Sequence, residues 1–487
     1  LKFNLSEEEV ARFAIDRHRY AGVEVVPYLA RHYPYGDLLT HVLGYVGRLD
    51  AEDLARVDAA NYRGTTHAGK SGIERYYEDQ LHGVSGLEKV ETNVQGRTLK
   101  VLERDAPVHG DDLILSLDVQ LQQAAWDALG DRAGAVVAID PNDGSVLVLV
   151  SKPAYDPNLF VQGISTADYR SILAAPGRPL FNRALLGGYE PGSTIKPFIG
   201  LAGLELGVIG KDDRVFSNGR FFLPGLEKPF RDWRKGGHGW VNIQAALEQS
   251  VNTYFYKLAL ELGIDRIHDY LAQFGFGAAS GLDLLGENAG VLPSRAWKRG
   301  QLGQPWYPGE TVIAGIGQGF NVVTPLQLAN AVATLANGGA RHEPRLLYAS
   351  KHSGKHAGDA QAEREQAPVA LRIPVNDPLN WDIVREGMRL VVHGAQGTAR
   401  AIRPDPPLQI AGKSGTAQVA PKAVDEDMND ATAAHLRHHA LFLAYAPFER
   451  PGIAVAAVVE HGGGGSRQAA PVARAVIDAW VQQGLAE

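Results

Sequence analysis

YEPGSTIKPF, residues 189–198, is the stretch on which the reading of this chain turns. Pro191-Gly192 closes a loop and Ser193 opens a helix. Pro197 falls in the first turn, where a missing N–H is tolerated. The residues that follow, to Leu206, are apolar on nearly every side, so a buried helix is expected. Ser193 and Lys196 stand three apart and share a face. Burial lowers the pKa of an ammonium, which lets Lys196 take the proton of the Ser193 hydroxyl. The helix N-terminus adds partial positive charge where an oxyanion would develop. Taken alone, S-x-x-K is better read as a serine N-cap with a surface lysine.

Two further motifs change the balance. Ser250-Val251-Asn252 follows a helical stretch over 241–249. It offers a hydroxyl to relay a proton and an amide to hold a substrate amide. Lys413-Ser414-Gly415-Thr416 lies on a candidate strand. A lysine, two hydroxyls and a glycine suit an edge strand that binds a peptide carboxylate by β-addition. Each motif is weak singly. The order S-x-x-K, S-x-N, K-[ST]-G in one chain is a strong joint signal of a serine acyl-transfer enzyme.

A competing motif comes earlier. GTTHAGKS, residues 64–71, satisfies the phosphate-loop pattern G-x-x-x-x-G-K-[ST]. That motif needs a buried strand before it and a helix after it. Residues 57–63 are polar and lack a β-branched run, so only the helix is expected. The apolar run 135–140 ends in an acid, as a magnesium-binding strand would, but leads into a tight turn. Lys70 and Ser71 are therefore read as structural.

Composition sets the frame. The 487 residues are too many for one ordinary core. The formal net charge of −7 argues against nucleic-acid binding. The chain has no Cys, which removes disulfides, thiol nucleophiles and Cys-based zinc sites. No apolar run is long enough to span a bilayer. The first residue is Leu, so a signal or anchor is expected to have preceded it.

The texture changes near Asp111, giving two expected domains, 1–111 and 112–487. Strands are expected at 113–117, 134–139, 145–150, 413–419, 440–444 and 453–460. Asp118 should cap a helix through Trp126. Two strands near 140 and three after 410 would make one antiparallel sheet, with a mostly helical region at about 160–400 between them in sequence. A last amphipathic helix carries Val472, Val476, Ile477 and Trp480 on one face. Residues 351–367 and 425–430 read as solvated loops.

The three motifs resemble those of the penicillin-binding, serine D,D-transpeptidase family. The likeness extends to HVLGYVGR at 41–48, GKSGIERYYEDQLHG at 69–83, SKPAYDPNLFVQGIS at 151–165, GIGQG at 315–319 followed by TPLQLA, and GKSGTAQV at 412–419. Together they look like class B, elongation-type members over essentially the whole chain. The resemblance implies an α/β fold. A five-stranded antiparallel sheet with helices on both sides and a helical subdomain would follow a mixed α+β pedestal. It implies that Ser193 attacks the penultimate D-Ala of a stem peptide, with Lys196 as base. Ser250 and Asn252 would move the proton and position the peptide. Lys413 would supply positive charge, and Ser414, Gly415 and Thr416 would hold the substrate or a β-lactam. The backbone N–H groups of Ser193 and Thr416 would form the oxyanion hole. No cofactor is implied. Implied partners are a RodA-type glycosyltransferase and an MreC-type scaffold, at a periplasmic location anchored to the inner membrane.

Two letters depart from the usual motifs, S-V-N for S-D-N and K-S-G for K-T-G, at positions the family tolerates. Some relatives hold zinc near the second motif through carboxylates, a His and a Cys. Here Asp232 and His238 remain, and two ligands do not make a structural zinc site; no metal is expected. His435, His438 and His439 read as a solvated loop. Trp233, Trp240 and Trp306 line a groove or pack as ledges, and Asp283 receives no role. The rivals are a serine β-lactamase or D,D-carboxypeptidase, a division-type enzyme and an inactive scaffold. A β-lactamase needs a carboxylate to activate water, and no convincing Glu presents itself.

Overall fold

The apolar runs GAVVAI and IAVAAVV are too uniform for a sheet with one wet face, which would alternate. Their surroundings explain them. The computed structural model describes residues 5–20, 22–95, 97–352, 362–365, 368, 370–418 and 437–484. Five antiparallel strands form the central sheet: β1 (Gly134–Ile139), β2 (Val146–Lys152), β3 (Ala411–Ala417), β4 (His439–Ala446) and β5 (Ile453–Val459), in the order β3-β4-β5-β1-β2. The helices that matter for the site are α1 (Val119–Leu129), α2 (Lys196–Glu205), α3 (Asn252–Leu262), α4 (Pro325–Ala336), α5 (Pro378–His393) and α6 (Ala470–Gln482).

Helices cover both faces of this sheet. On one side Leu121 and Leu129 of α1 join Val472, Val476, Ile477 and Trp480 of α6. They pack with Val136, Val148, Phe442 and Val455. On the other side lies α4, every residue of which is buried. Both faces being dry, both parities of each strand must be apolar. Asp118 caps α1 by accepting from the N–H groups of Gln120 and Leu121, a contribution of about 1 kcal/mol.

The sheet order leaves β3 paired only with β4, so its other edge is open. Register aligns Lys413 with Leu443 and Gly415 with Leu441. The expected strand at 113–117 forms as Asp112–Leu115, and it joins a separate sheet with Leu347–Lys351 and Glu363–Arg364. The expected loop at 425–430 and Val419 lie outside the described residues.

The chain divides into two units: Leu1–Gly110 with Tyr155–Ala174, and Asp111–Ala154 with Ala175–Glu487. The expected single cut at 111 put 155–174 with the second domain. Those residues cluster with the first unit instead: Asn158 Oδ1 accepts from Tyr33 N at 2.9 Å and its Nδ2 donates to Tyr33 O at 3.0 Å, and Tyr155 and Phe160 pack on His41 and Tyr45.

The first unit has few buried apolar residues and is tied by carboxylates. Glu74 accepts from Tyr33 and Arg31, and Glu78 accepts from Tyr62 and from Gly69 N. This disposes of the phosphate-loop reading. A strand does form, but it is His67–Gly69, inside the motif. The Lys70 ammonium is held by Asp50 at 2.8 Å and by Asp53. A phosphate placed there would face carboxylates.

Candidate active site

Ser193 lies in a single 3-10 turn, Gly192–Ile195, that runs directly into α2. Pro197 sits in the first turn of that helix, and the whole helix is buried. Lys196 therefore enters the protein on a fully apolar element and is 0% exposed. Its Nζ donates to the Ser250 carbonyl oxygen at 2.8 Å and to Asn252 Oδ1 at 2.7 Å. Ser250 Oγ lies 3.3 Å away. A neutral amine has two N–H bonds and one lone pair. Two acceptors that cannot donate take the N–H bonds, which leaves the lone pair for a proton.

Burial sets the charge state. It lowers the Lys196 pKa from 10.5 to about 7, against the pull of the Asp232 carboxylate. That displacement corresponds to on the order of 5 kcal/mol against the charged form. Lys413 is equally buried, and burial together with the charge of Lys196 holds it well below its ordinary value. Its Nζ donates to Ser250 Oγ at 2.8 Å and to the Ser414 carbonyl at 3.1 Å. Ser250 Oγ thus stands between two amines. Its backbone has φ +57°, a conformation that costs a non-glycine residue about 1–3 kcal/mol and concentrates at functional sites. The helix expected over 241–249 ends at Glu248, and Asn252 starts α3, so the S-x-N loop is the corner between two helices.

These groups open on one cleft of about 550 Å3. Ser193, Ser250, Asn252, Ser414, Gly415 and Thr416 all line it, which brings the three motifs together across more than 200 residues of sequence. Lys196 and Lys413 are buried and reach the cleft-lining Ser250 Oγ at 3.3 and 2.8 Å. Among the described residues Ser193 Oγ makes no hydrogen bond. The edge strand reaches the Ser193 turn by backbone: a Cβ on Gly192 would lie 2.5 Å from the Thr416 carbonyl oxygen, and one on Gly415 would lie 2.7 Å from the Pro191 oxygen.

Residues 134–478 match the penicillin binding protein transpeptidase domain family. The chain belongs to the penicillin-binding protein transpeptidases. Residues 1–115 match the penicillin-binding protein dimerisation domain. The peptidoglycan D,D-transpeptidase MrdA of Escherichia coli K12 is 43% identical over 472 residues, covering 96% of this chain and 73% of that protein. The crystal structure of Pseudomonas aeruginosa PBP2 in complex with WCK 5153 superposes with a TM-score of 0.82 at 45% identity, covering 95% of this chain and 93% of that one. The complex between PBP2 and MreC from Helicobacter pylori gives a TM-score of 0.84 at 31% identity, covering 99% and 84%. Among penicillin-binding proteins the chain is most like PBP2.

Several residues of this penicillin-binding protein's cleft escaped the sequence reading. Gln418, one residue past β3, continues the alternation of Ser414 and Thr416, so period two would have found it. Gly464, Gly465, Ser466 and Arg467 line the cleft from the glycine-rich stretch after β5. A Cβ on Gly465 would meet the Gly415 oxygen at 2.3 Å; HGGGGS was the available signal. Thr398, whose Oγ1 lies 3.3 Å from Ser414 Oγ, had none. The histidine reading needs correction. His438 lines the cleft, and His439 is the first residue of β4, edge-on to Tyr189. His435 lies outside the described residues. Of the three tryptophans Trp233 lines the cleft, whereas Trp240 packs on Phe216 and Trp306 on Phe320. Asp283 accepts from the N–H groups of Leu346 and Leu347 and is structural.

Asp232 and His238 form part of a support behind Lys196. Asp232 accepts from Thr253 N and Oγ1 and from Trp233 N, at 2.8–3.1 Å. His238 joins Asp232 Oδ1 to Gln249 Oε1. Burial pushes the Asp232 carboxyl up, but these bonds and the Lys196 charge outweigh it and hold it ionised. No group of three potential metal ligands exists among the described residues. Because the Asp232 charge raises the Lys196 pKa, Asp232→Asn should move the acylation midpoint below pH 7. A pH profile of penicillin acylation measures this, and an upward shift would refute the assignment.

Proposed function

We propose that this chain is a serine D,D-transpeptidase that cross-links peptidoglycan stem peptides during cell elongation, through an acyl-enzyme on Ser193. The observation that carries the reading is Lys196: fully buried, held near pKa 7, with both N–H bonds of its neutral form directed at carbonyl oxygens. It takes the Ser193 proton as Oγ attacks the D-Ala carbonyl. The N–H groups of Ser193 and Thr416 receive the oxyanion. Ser250 passes the proton onward to the departing D-Ala, and Asn252 positions the peptide amide. The substrate carboxylate meets Ser414 and Thr416 and supplies the counter-charge that Lys413 lacks. An amine from a second stem then resolves the acyl-enzyme. A β-lactam enters the same cleft and leaves a stable adduct.

Stability of that adduct follows from what the cleft lacks. Among the described residues no Asp or Glu lines it, so no carboxylate is placed to activate a water. The nearby Glu190 accepts from Gly319 N. This favours a transpeptidase over a β-lactamase. Incubation with benzylpenicillin followed by intact-mass and peptide analysis tests the reading. One slowly lost adduct on Ser193 is expected, and an adduct on another residue, or rapid turnover, overturns it.

The placement of the enzyme is part of the same proposal. The MreC-bound relative supports an MreC-type scaffold as partner. A RodA-type glycosyltransferase and a periplasmic location anchored at the inner membrane follow from the likeness to elongation-type members. No helix among the described residues is long and apolar enough to cross a membrane.

A further inference from the structure

The catalytic unit contains a second pocket made of residues the acyl-transfer chemistry does not use. It encloses about 280 Å3 between loop 274–281, the first half of α4 and the strand Ala340–Arg341. That volume is at the small end of ligand sites, and suits an amino acid or dipeptide better than a drug-sized molecule.

Several polar side chains that line it have no partner inside the protein. Arg341, half-buried, and Glu343, exposed, both line the pocket, and neither side chain has a hydrogen bond or ion pair among the described residues. They do not pair with each other. The Arg341 Nη1 lies against Gly275, where a Cβ would be 3.2 Å away. The Glu343 carboxylate lies over Gly281, where a Cβ would be 2.2 Å from Oε1. Asn330 is only 5% exposed, lines the same pocket, and its side-chain amide has no hydrogen bond. Nδ1 of His342 is buried without a partner. Of these, the His342 nitrogen alone is shut off from solvent, and the Arg341, Glu343 and Asn330 side chains face the pocket free to meet a ligand.

One guanidinium, one carboxylate and one buried amide in a small pocket are the complement of a zwitterion. We propose that this pocket binds a free amino acid or the end of a short peptide. The ligand carboxylate sits on Arg341 and Asn330, and its ammonium on Glu343. Arg341 supplies a planar fork that matches a carboxylate. A ligand of that kind satisfies the three unpaired groups at once. A simple anion leaves Glu343 unpaired, and a simple cation leaves Arg341 unpaired.

The test uses the whole chain with Ser193 first acylated by benzylpenicillin, so that the catalytic cleft is filled. D-Alanine, D-alanyl-D-alanine, propionate and ethylamine are titrated and followed by protein-observed NMR. Saturable binding of D-alanine or of the dipeptide is expected, and the two arms tell a free amino acid from a peptide end. Propionate and ethylamine should bind about tenfold or more weakly, as should the zwitterion to Arg341→Ala or Glu343→Gln. Penicillin acylation at the wild-type rate shows that both variants fold. Absence of saturable binding, loss of binding on acylation of Ser193, or indifference to both substitutions would overturn the proposal. If Ser193 proves not to be acylated, the functional reading fails, and the same titration on unmodified protein still decides the pocket.

Discussion

Lys196→Met is expected to slow acylation of Ser193 by penicillin by a factor of about 10^2–10^4, the range that general-base catalysis supplies. Met has similar length, fits an apolar helix and cannot accept a proton. The pH dependence identifies the role. In the wild type the acylating form carries neutral Lys196, whose pKa is about 7. The rate should rise as pH passes through 7 and level off above it. In Lys196→Met that rise should vanish. Stability moves in the same direction as the wild-type rate. The unfolded chain binds the Lys196 proton up to pH 10.5, whereas the folded chain releases it near 7. Stability from this group is therefore full above about 10.5 and falls as pH drops toward 7. Stopped-flow acylation across pH 5–10, a window of about 2 units below and 3 above the midpoint, measures the rate. A Met variant that retains the pH-dependent rise would exclude Lys196 as the base, and Ser193→Ala, which should carry no adduct, sets the floor.

Gly317→Ala should cost acylation about 100-fold, although Gly317 does not line the cleft. Its φ is +71°, and a Cβ there would lie 2.2 Å from the Gly192 oxygen. Gly192 N donates back to the Gly317 oxygen at 2.8 Å. Gly192 in turn has φ +52° and abuts the Thr416 backbone. GIGQG therefore presses from behind on the turn that carries Ser193, while β3 presses from the other side. A methyl group at 317 displaces the nucleophile relative to Thr416, and a shift of about 1 Å in a reacting group costs about 10^2 in rate. Gly464→Ala is the control: Gly464 lines the cleft, yet a Cβ there meets nothing within 4 Å. Its rate should stay near wild type. If both variants behave alike, crowding at Gly192 is not what positions Ser193.

The motifs themselves were legible because acyl transfer demands particular residue types in particular local geometry. Ser193 and Lys196 share a helix face at i, i+3, and Ser414 and Thr416 share a strand face at period two. Such spacings are written in one dimension. The uniform apolar runs of β1 and β5 likewise showed a sheet covered on both sides. GTTHAGKS was separable from GKSG at 412–415 for the same reason, since what flanks Lys70 is polar. The departure at 155–174 had no such signature: an asparagine clasp on Tyr33 and the rings of Tyr155 and Phe160 against His41 and Tyr45 hold that segment.

By itself, then, the sequence determined the three motifs, their order and the kind of sheet, and singled out Ser193 and Lys196 as the proposed nucleophile and base, because short-range periodicity fixes which side chains face together. Tertiary structure alone decided that Lys413 shares Ser250 with Lys196 from 217 residues away in numbering. It also decided that Thr398 and the 464–467 turn complete the cleft, and that Arg341, Glu343 and Asn330 meet unpaired in a second pocket. Burial, and with it the lowered pKa of Lys196, is a property of what surrounds a residue in space. No local spacing encodes it.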